Sequence, residues 1–386
     1  MAEYITYDLI HHIIYFQLVL LLIAISNIWI MHRARRHPAS QSVPFVSILV
    51  PARNEEENIA DCVHSLISQE YPSFEVLVLD DQSTDNTLLI LHEIASHNSS
   101  LTVIEGKPAP RNQIGKNWAC AQLAEQAKGD LFLFTDADTI HEPGCLKSII
   151  NAIDGEKADL LTGFPRQQVQ TWGERLLVPF FSWATICFNP LWIAYWFRLP
   201  ILSSAVGQMM LFRREAYFKI GGHAGISDSI VDDLALVRQI NSHGLRWRVV
   251  SIADQISSRM YHNSKEAYTG FVKNLFAAFN YRLLPFFFVF AWLFVMFWGP
   301  IIVLILAQIG FAGSAERLDI LLCIGISILL WLLPYLEIKL PMILALFYPV
   351  TVLANIVVAF QSARLTIAGK IDWKGRPIAK QKWTWL

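Results

Sequence analysis

The sequence predicts an α/β sheet domain carried between apolar segments of membrane-spanning length. The observations behind this are two apolar ends, a middle stretch where short β-branched runs alternate with helix-length segments, and acidic clusters where those runs end. The 386 residues are 54% hydrophobic and 16% charged, with mean hydropathy +0.39. That length fits about two or three ordinary domains, but the composition is too apolar for a soluble enzyme. It excludes disorder, a disulfide mini-scaffold and a collagen-like fibre. Lys+Arg 31 against Asp+Glu 32 leaves −1, so there is no basic excess for nucleic acid.

Residues 9–31 form an almost uninterrupted apolar run that meets the roughly 20-residue requirement of a bilayer span. His11 and His12 lie at its outer edge, and Ser26 and Asn27 are polar residues within it. The cluster Arg33, Arg35 and Arg36 follows the run instead of preceding it, and no small-residue cleavage site is present. An anchor over 1–36 is expected, with the next domain cytoplasmic by the positive-inside rule. Three further apolar runs, 283–310, 318–338 and 341–360, fill the C-terminal third. The tail over 363–386 carries Arg364, Lys370, Lys374, Arg376, Lys380 and Lys382 against Asp372, so it too is expected in the cytoplasm. Three full crossings would leave it outside. One of the three runs is therefore expected to be re-entrant, interfacial or split. The chain reads as an integral protein of the cell membrane.

Between 43 and 265 the pattern changes. Strands are expected over 45–50, 74–79, 101–104 and 131–135, with helices over 55–69, 84–96 and 116–128. A connector over 266–282 then leads to the apolar region 283–362. In a parallel-type sheet, ligands bind outside the carboxyl ends of the strands. Pro51-Ala52-Arg53-Asn54-Glu55 follows the first strand, Asp80-Asp81-Gln82-Ser83-Thr84-Asp85 the second, and Asp136-Ala137-Asp138 the fourth. Polar and acidic groups thus collect along one edge. Cys62, Cys120, Cys145, Cys187 and Cys323 are an odd, scattered set, which reads as reduced thiols instead of a disulfide framework or zinc site. Asn98-Ser99-Ser100 matches a glycosylation sequon that a cytoplasmic domain would not use.

Each acidic cluster has a plain reading beside a chemical one. Asp136 and Asp138 can hold a hard divalent cation, Mg2+ or Mn2+, against a diphosphate, or they can cap a helix before Pro143. A carboxylate of Asp80-Asp81 can accept from a uracil imide or a ribose hydroxyl, while Asp85 can be a helix N-cap. Asp232-Asp233 opens a helical segment, where the pair can complement the dipole or one member can act as general base. Lys116 and Lys273 are candidate cations for a departing diphosphate, or solvated lysines. Residues 172–205 hold Trp172, Phe180, Phe181, Trp183, Phe188, Trp192, Tyr195, Trp196 and Phe197, broken by Pro179, Pro190 and Pro200. The 170–205 stretch is expected to form short interfacial helices, with an ordinary aromatic core as the alternative.

Together, VSILVPARNEEENI, DDQSTDNT, DADT and VDDLALVRQI resemble, in order and spacing, a membrane-bound family 2 glycosyltransferase over about residues 43 to 265. The resemblance implies a GT-A nucleotide-sugar domain with a Rossmann-like mixed sheet. It implies that Asp80 or Asp81 contacts the nucleotide, that Asp138, with Asp136, holds the metal, and that Asp233, beside Asp232, is the catalytic base. IGKNWACAQLA, GFPRQQVQTWGERLLVP, GQMMLFRREAYFKIGGH, GFVKNLF and WKGR are similar to the carotenoid glucosyltransferase group, which includes the hydroxychlorobactene and diaponeurosporenoate enzymes. By that resemblance Pro51, Arg53, Glu55 and Lys116 lie near the donor, Gln208 and His223 near the sugar or acceptor, and Lys273 and Asn274 at the closing face. GFVKNLFAAFNYR lacks the Q-x-x-R-W-type motif of processive members, which argues for a single transfer. The expected activity is inverting transfer of a hexose, glucose foremost, from a UDP-sugar to a hydroxyl or carboxyl of a membrane lipid, foremost a carotenoid. Diacylglycerol or polyprenyl phosphate acceptors, and a silent nucleotide-sugar-binding protein, are the alternatives.

Overall fold

The computed structural model describes residues 2–40, 42–110, 113–308, 316–373, 376–377 and 381–386, and side chains throughout these except at 2–7, 316, 372–373 and 376–377. Gly310, Lys374, Lys380 and part of the WKGR stretch lie outside the described residues. The chain forms two compact units. One comprises Met1–Ile28, Val169–Pro190 and Tyr261–Leu386, and the other Trp29–Gln168 and Leu191–Met260.

Helix α1 (Ala2–Arg35) opens the chain, followed by β1 (Val46–Ala52), α2 (Ile59–Ile67), β2 (Phe74–Asp80), α3 (Thr87–His97) and β3 (Leu101–Glu105). Next come α4 (Gly115–Gln126), β4 (Leu131–Phe134), β5 (Thr139–His141), α5 (Cys145–Gly155), β6 (Leu160–Phe164) and β7 (Arg166–Gln167). The short helices α6 (Trp172–Leu177), α7 (Pro179–Phe188) and α8 (Leu191–Phe197) precede β8 (Met210–Arg213), α9 (Arg214–Lys219), α10 (Asp232–Ser242), β9 (Trp247–Ser251) and β10 (Ile256–Ser258). Finally α11 (Ser264–Ala278) leads to α12 (Leu283–Gln308), α13 (Glu316–Glu337) and α14 (Tyr348–Ile367).

In the α/β unit the strands run in the order β3-β2-β1-β4-β8-β6-β9, and a smaller sheet runs β5-β10-β7. Helices cover both faces, so β1 and β4 are continuous apolar runs instead of alternating ones. Val46, Ile48 and Val50 pack with Val76, Val78, Leu131 and Leu133 against Ile59, Val63 and Leu66 of α2. β8 lies antiparallel to both β4 and β6, which makes the sheet mixed. The chain steps from β1 outward to β3 and then returns to the other side of β1 as β4. That reversal is the topological switch point, where the carboxyl ends of β1 and β4 part and leave a crevice. Pairing of β1 with β4 ends at Leu49–Phe134, while Pro51 and Ala52 still pair with β2. Proline has no N–H, so Pro51 leaves no orphaned donor on the open side. The crevice is a consequence of the topology.

In the helical unit, α12 and segments covering Asp8–Arg35, Arg317–Glu337 and Met342–Ile367 are long and apolar enough to cross a membrane. Polar side chains tie the bundle together. Gln17 Nε2 donates to Ser327 Oγ at 2.8 Å, Asn27 Nδ2 to Ile186 O at 2.9 Å, and Asn355 Nδ2 to Leu176 O at 3.0 Å. The aromatic stretch expected at the interface divides in two. In α7, Trp183 is fully buried and stacks on Trp331 with centroids 4.0 Å apart, so this half is an aromatic core. Trp192, Trp196 and Phe197 of α8 stay exposed, Trp196 at 82%. All five cysteines are buried free thiols.

Candidate active site

The loops after β1 and β2 are laced together by their own polar groups. Asn54 and Gln82 take left-handed backbone, with φ of 51° and 58°. Arg53 Nη1 donates to the carbonyls of Asp81 and Gln82. Asn54 N–H donates to Ser83 Oγ at 2.9 Å, Glu55 N–H to Thr87 Oγ1 at 2.8 Å, and Glu56 N–H to Asp85 Oδ2 at 3.2 Å. Asp85 is not the N-cap of α3, which is Asn86, but from the position before it Asp85 Oδ1 accepts from the N–H of Thr87, the first helical residue, at 3.1 Å. Arg53 and Glu55, expected near the donor, shape these loops. Asp80 Oδ2 accepts from Ser83 N–H at 3.1 Å, and its Oδ1 is buried with no protein partner among the described residues. Asp81 is buried at the end of the same strand, close enough for its charge to be felt at the Cys120 thiol.

Asp136 and Asp138 are half-buried between the buried Thr135, Ala137 and Thr139, in the turn that joins β4 to β5. The helix-capping alternative does not hold. β5 follows the pair directly, and α5 begins only at Cys145, after Gly144. Lys116, in the first turn of α4, places Nζ 2.8 Å from Asp136 Oδ1 and 3.4 Å from Asp232 Oδ2. Pro51, Lys116, Thr135, Asp136, Gly207, His223 and Asp232 line one opening. Burial alone would lower the Lys116 pKa, but Asp136 and Asp232 hold it well above its ordinary value. The ammonium is firmly charged.

Asp232 and Asp233 do open α10, as the dipole reading expects, yet Asp232 also lines the opening and Asp233 meets its wall at Gly207. Asp233 Oδ2 accepts from Gly207 N–H at 3.1 Å and Oδ1 from Leu234 N–H at 2.7 Å. Burial, and then the neighbouring Asp232 carboxylate, push the Asp233 pKa up to about 7. His223 is buried, bonds through Nδ1 to Tyr217 Oη at 2.9 Å and packs on Phe134 at 4.6 Å between ring centroids. Burial lowers its pKa to about 4, so it lines the opening as a neutral ring.

Gln208 stands behind the crevice. Its side chain is buried and is bonded to Ser258 and Gln167, and its carbonyl accepts from Thr135 Oγ1 at 2.8 Å. Lys273 and Asn274 lie on α11 of the helical unit. Gly207, Tyr217 and Gln167 fall within stretches quoted for the resemblance without being singled out, and Ser258 escaped the sequence reading. Gly207 was adjacent to a named residue, whereas nothing about Ser257-Ser258 in the sequence marks it. The arrangement joins a firm cation, hard oxygen donors and a carboxylate able to take a proton near neutrality.

Residues 47–221 match the profile named Glycosyl transferase family 2. This stretch is a family 2 glycosyltransferase domain. The family 2 match ends before α10, so Asp232 and Asp233 lie beyond it. The 4,4'-diaponeurosporenoate glycosyltransferase of Staphylococcus aureus (strain MRSA252) is 27% identical over 240 residues, 60% of each chain. The beta-monoglucosyldiacylglycerol synthase of Nostoc sp. is 29% identical over 215 residues, 54% of this chain and 43% of that one. The chain spans about half the length of the curated relatives it matches. A mannosyltransferase from Pyrobaculum calidifontis, solved in complex with GDP-Man and Mn2+, superposes with a TM-score of 0.55 at 17% identity. It covers 95% of this chain and 98% of its own, and the likeness establishes the GT-A fold of the family 2 domain.

Proposed function

We propose that the chain is an inverting, membrane-embedded glycosyltransferase. It moves a hexose, glucose foremost, from a UDP-sugar to a hydroxyl or carboxyl of a membrane lipid, a carotenoid foremost. The observation that carries this reading is the gathering of Lys116, Asp136, Asp232 and Asp233 at the switch point of a family 2 domain. The basic cluster after the first apolar segment supports placement at the cell membrane with the domain on the cytoplasmic side.

Asp233 takes the proton of an acceptor hydroxyl as its oxygen attacks the anomeric carbon. Its raised pKa suits it to that task near neutral pH. An acceptor that is already a carboxylate needs this step less. Asp80 and Asp81 supply acceptors for the base or ribose, the buried Asp80 Oδ1 being one without a protein donor among the described residues. Lys116 offsets charge on the departing diphosphate.

The donor set fits a divalent ion. Asp136 and Asp138 are hard carboxylates, and among the described residues no group of three His, Cys, Asp or Glu side chains forms a full cage. Mg2+ or Mn2+ binds in this way, through one or two carboxylates with diphosphate oxygens and water completing the shell. Bound there, the ion would neutralise charge on the diphosphate.

The match to the diaponeurosporenoate enzyme over 60% of each chain supports a carotenoid acceptor, and the match to the glucosyldiacylglycerol synthase favours diacylglycerol as the second reading. Membranes from an expressing host, given radiolabelled UDP-glucose, Mn2+ and either a hydroxylated carotenoid or diacylglycerol, separate the two. Label is expected in the organic phase with the carotenoid. Label only with diacylglycerol transfers the assignment to that lipid, and no label with either, from protein that binds UDP, rejects both.

A further inference from the structure

Behind the acidic pair lies a chain of hydrogen bonds whose proton order is set by its chemistry. Gln167 Nε2 donates to Gln208 Oε1 at 3.0 Å. With its oxygen occupied, Gln208 turns its amide nitrogen toward Ser258 Oγ and donates there. A serine hydroxyl has one proton, and Ser258 Oγ, having accepted from Gln208, directs that proton to Asp138 Oδ1 at 3.3 Å. Gln167, Gln208 and Ser258 are all at least nine-tenths buried, so water does not compete for these bonds. The elements involved explain the convergence. Gln167 sits on β7 and Ser258 on β10, paired with it, while Gln208 leads into β8 beside β4.

We propose that Gln208 and Ser258 are positioning residues, which aim the Asp138 carboxylate and hold it as an acceptor for the divalent ion. The assignment rests on the reading of Asp138 as a metal ligand. A hydroxyl that donates to one carboxylate oxygen fixes the side chain's orientation, and an outer partner of this kind behind a ligating carboxylate supports cation binding. The same short stretch reaches the other half of the site, because Gly207 N–H, next to Gln208, holds Asp233 Oδ2. One dipeptide thereby braces the base directly and the metal carboxylate through Ser258.

Mn2+ binding to the full-length protein in detergent, followed by electron paramagnetic resonance with UDP present, tests this without relying on turnover. Ser258→Ala removes the donor. Gln208→Glu offers Ser258 a carboxylate and turns its proton away from Asp138. Both are expected to weaken Mn2+ binding about tenfold or more, while Ser258→Thr, which keeps the hydroxyl, binds as the wild type does and UDP binding without metal is unchanged. If Ser258→Ala does not fold, Gln208→Glu decides. Wild-type Mn2+ affinity in Ser258→Ala and Gln208→Glu, alongside its loss in Asp138→Asn, overturns the brace but leaves the metal reading standing. Undiminished Mn2+ binding in Asp138→Asn, or none in the wild type, overturns both.

Discussion

Asp233 shows how burial and one neighbouring carboxylate raise an ordinary carboxylate's proton affinity toward neutral pH. Burial disfavours its charge and Asp232 disfavours it further, while the N–H groups of Leu234 and Gly207 and the ammonium of Lys116 pull the other way. The upward influences win. A general base works only when ionised, so the rate with an alcohol acceptor is expected to be low in acid, to rise as pH passes about 7, and to level off above it. A pH-rate profile of kcat with saturating donor checks this. A rate already flat well below that value would show that another group takes the proton. Lys116 has the complementary part. Facing Asp136 and Asp232 at once, it lets carboxylates gather at one opening with less mutual repulsion, and it leaves a fixed positive charge where a diphosphate would sit.

At the scale of elements, the site depends on how closely β1 and β4 approach before they part. Gly129 lies at the base of that approach, donating its N–H to Ser47 Oγ at 2.8 Å. A Cβ there would fall 2.5 Å from the Ser47 backbone nitrogen and 2.7 Å from Leu131 O, with backbone on both sides. Gly129→Ala is therefore expected to cost about 1–3 kcal/mol by forcing the strands apart, read as a lower thermal midpoint in detergent; an unchanged midpoint would mean the strands yield freely. β1 to β4, α2 to α4 and the strand-end clusters were readable from the sequence, because apolar runs and turn residues are local signals, whereas β5 to β10, α5 and α9 were not. β4 was expected over 131–135 and forms over 131–134, and α4 was expected from 116 and begins at 115. The lacing of Arg53, Asn54 and Glu56 to the second loop was not readable, since it depends on β1 and β2 lying side by side. Gln208 shows the same limit from the other direction. The residue was singled out, but its place behind Asp138 follows from the pairing of β7 with β10, which no local pattern reveals.

At the scale of the whole molecule, a stretch that matches family 2 shares one chain with four helical segments of spanning length among the described residues. The apolar segments were evident in composition, whereas the division of the aromatic stretch into a buried α7 and an exposed α8 was not, because aromatic density alone does not distinguish core from interface. In the proposed reaction Asp233 is the base. The most direct measurement compares wild type and Asp233→Asn, as full chains in membranes, for label transferred from UDP-glucose to a hydroxylated lipid and, in parallel, for UDP binding. Turnover is expected to fall by about 10²–10⁴-fold while UDP binding is retained. Undiminished transfer by Asp233→Asn would contradict the assignment of the base, and absence of transfer by a wild type that folds but does not bind UDP would contradict the enzyme itself.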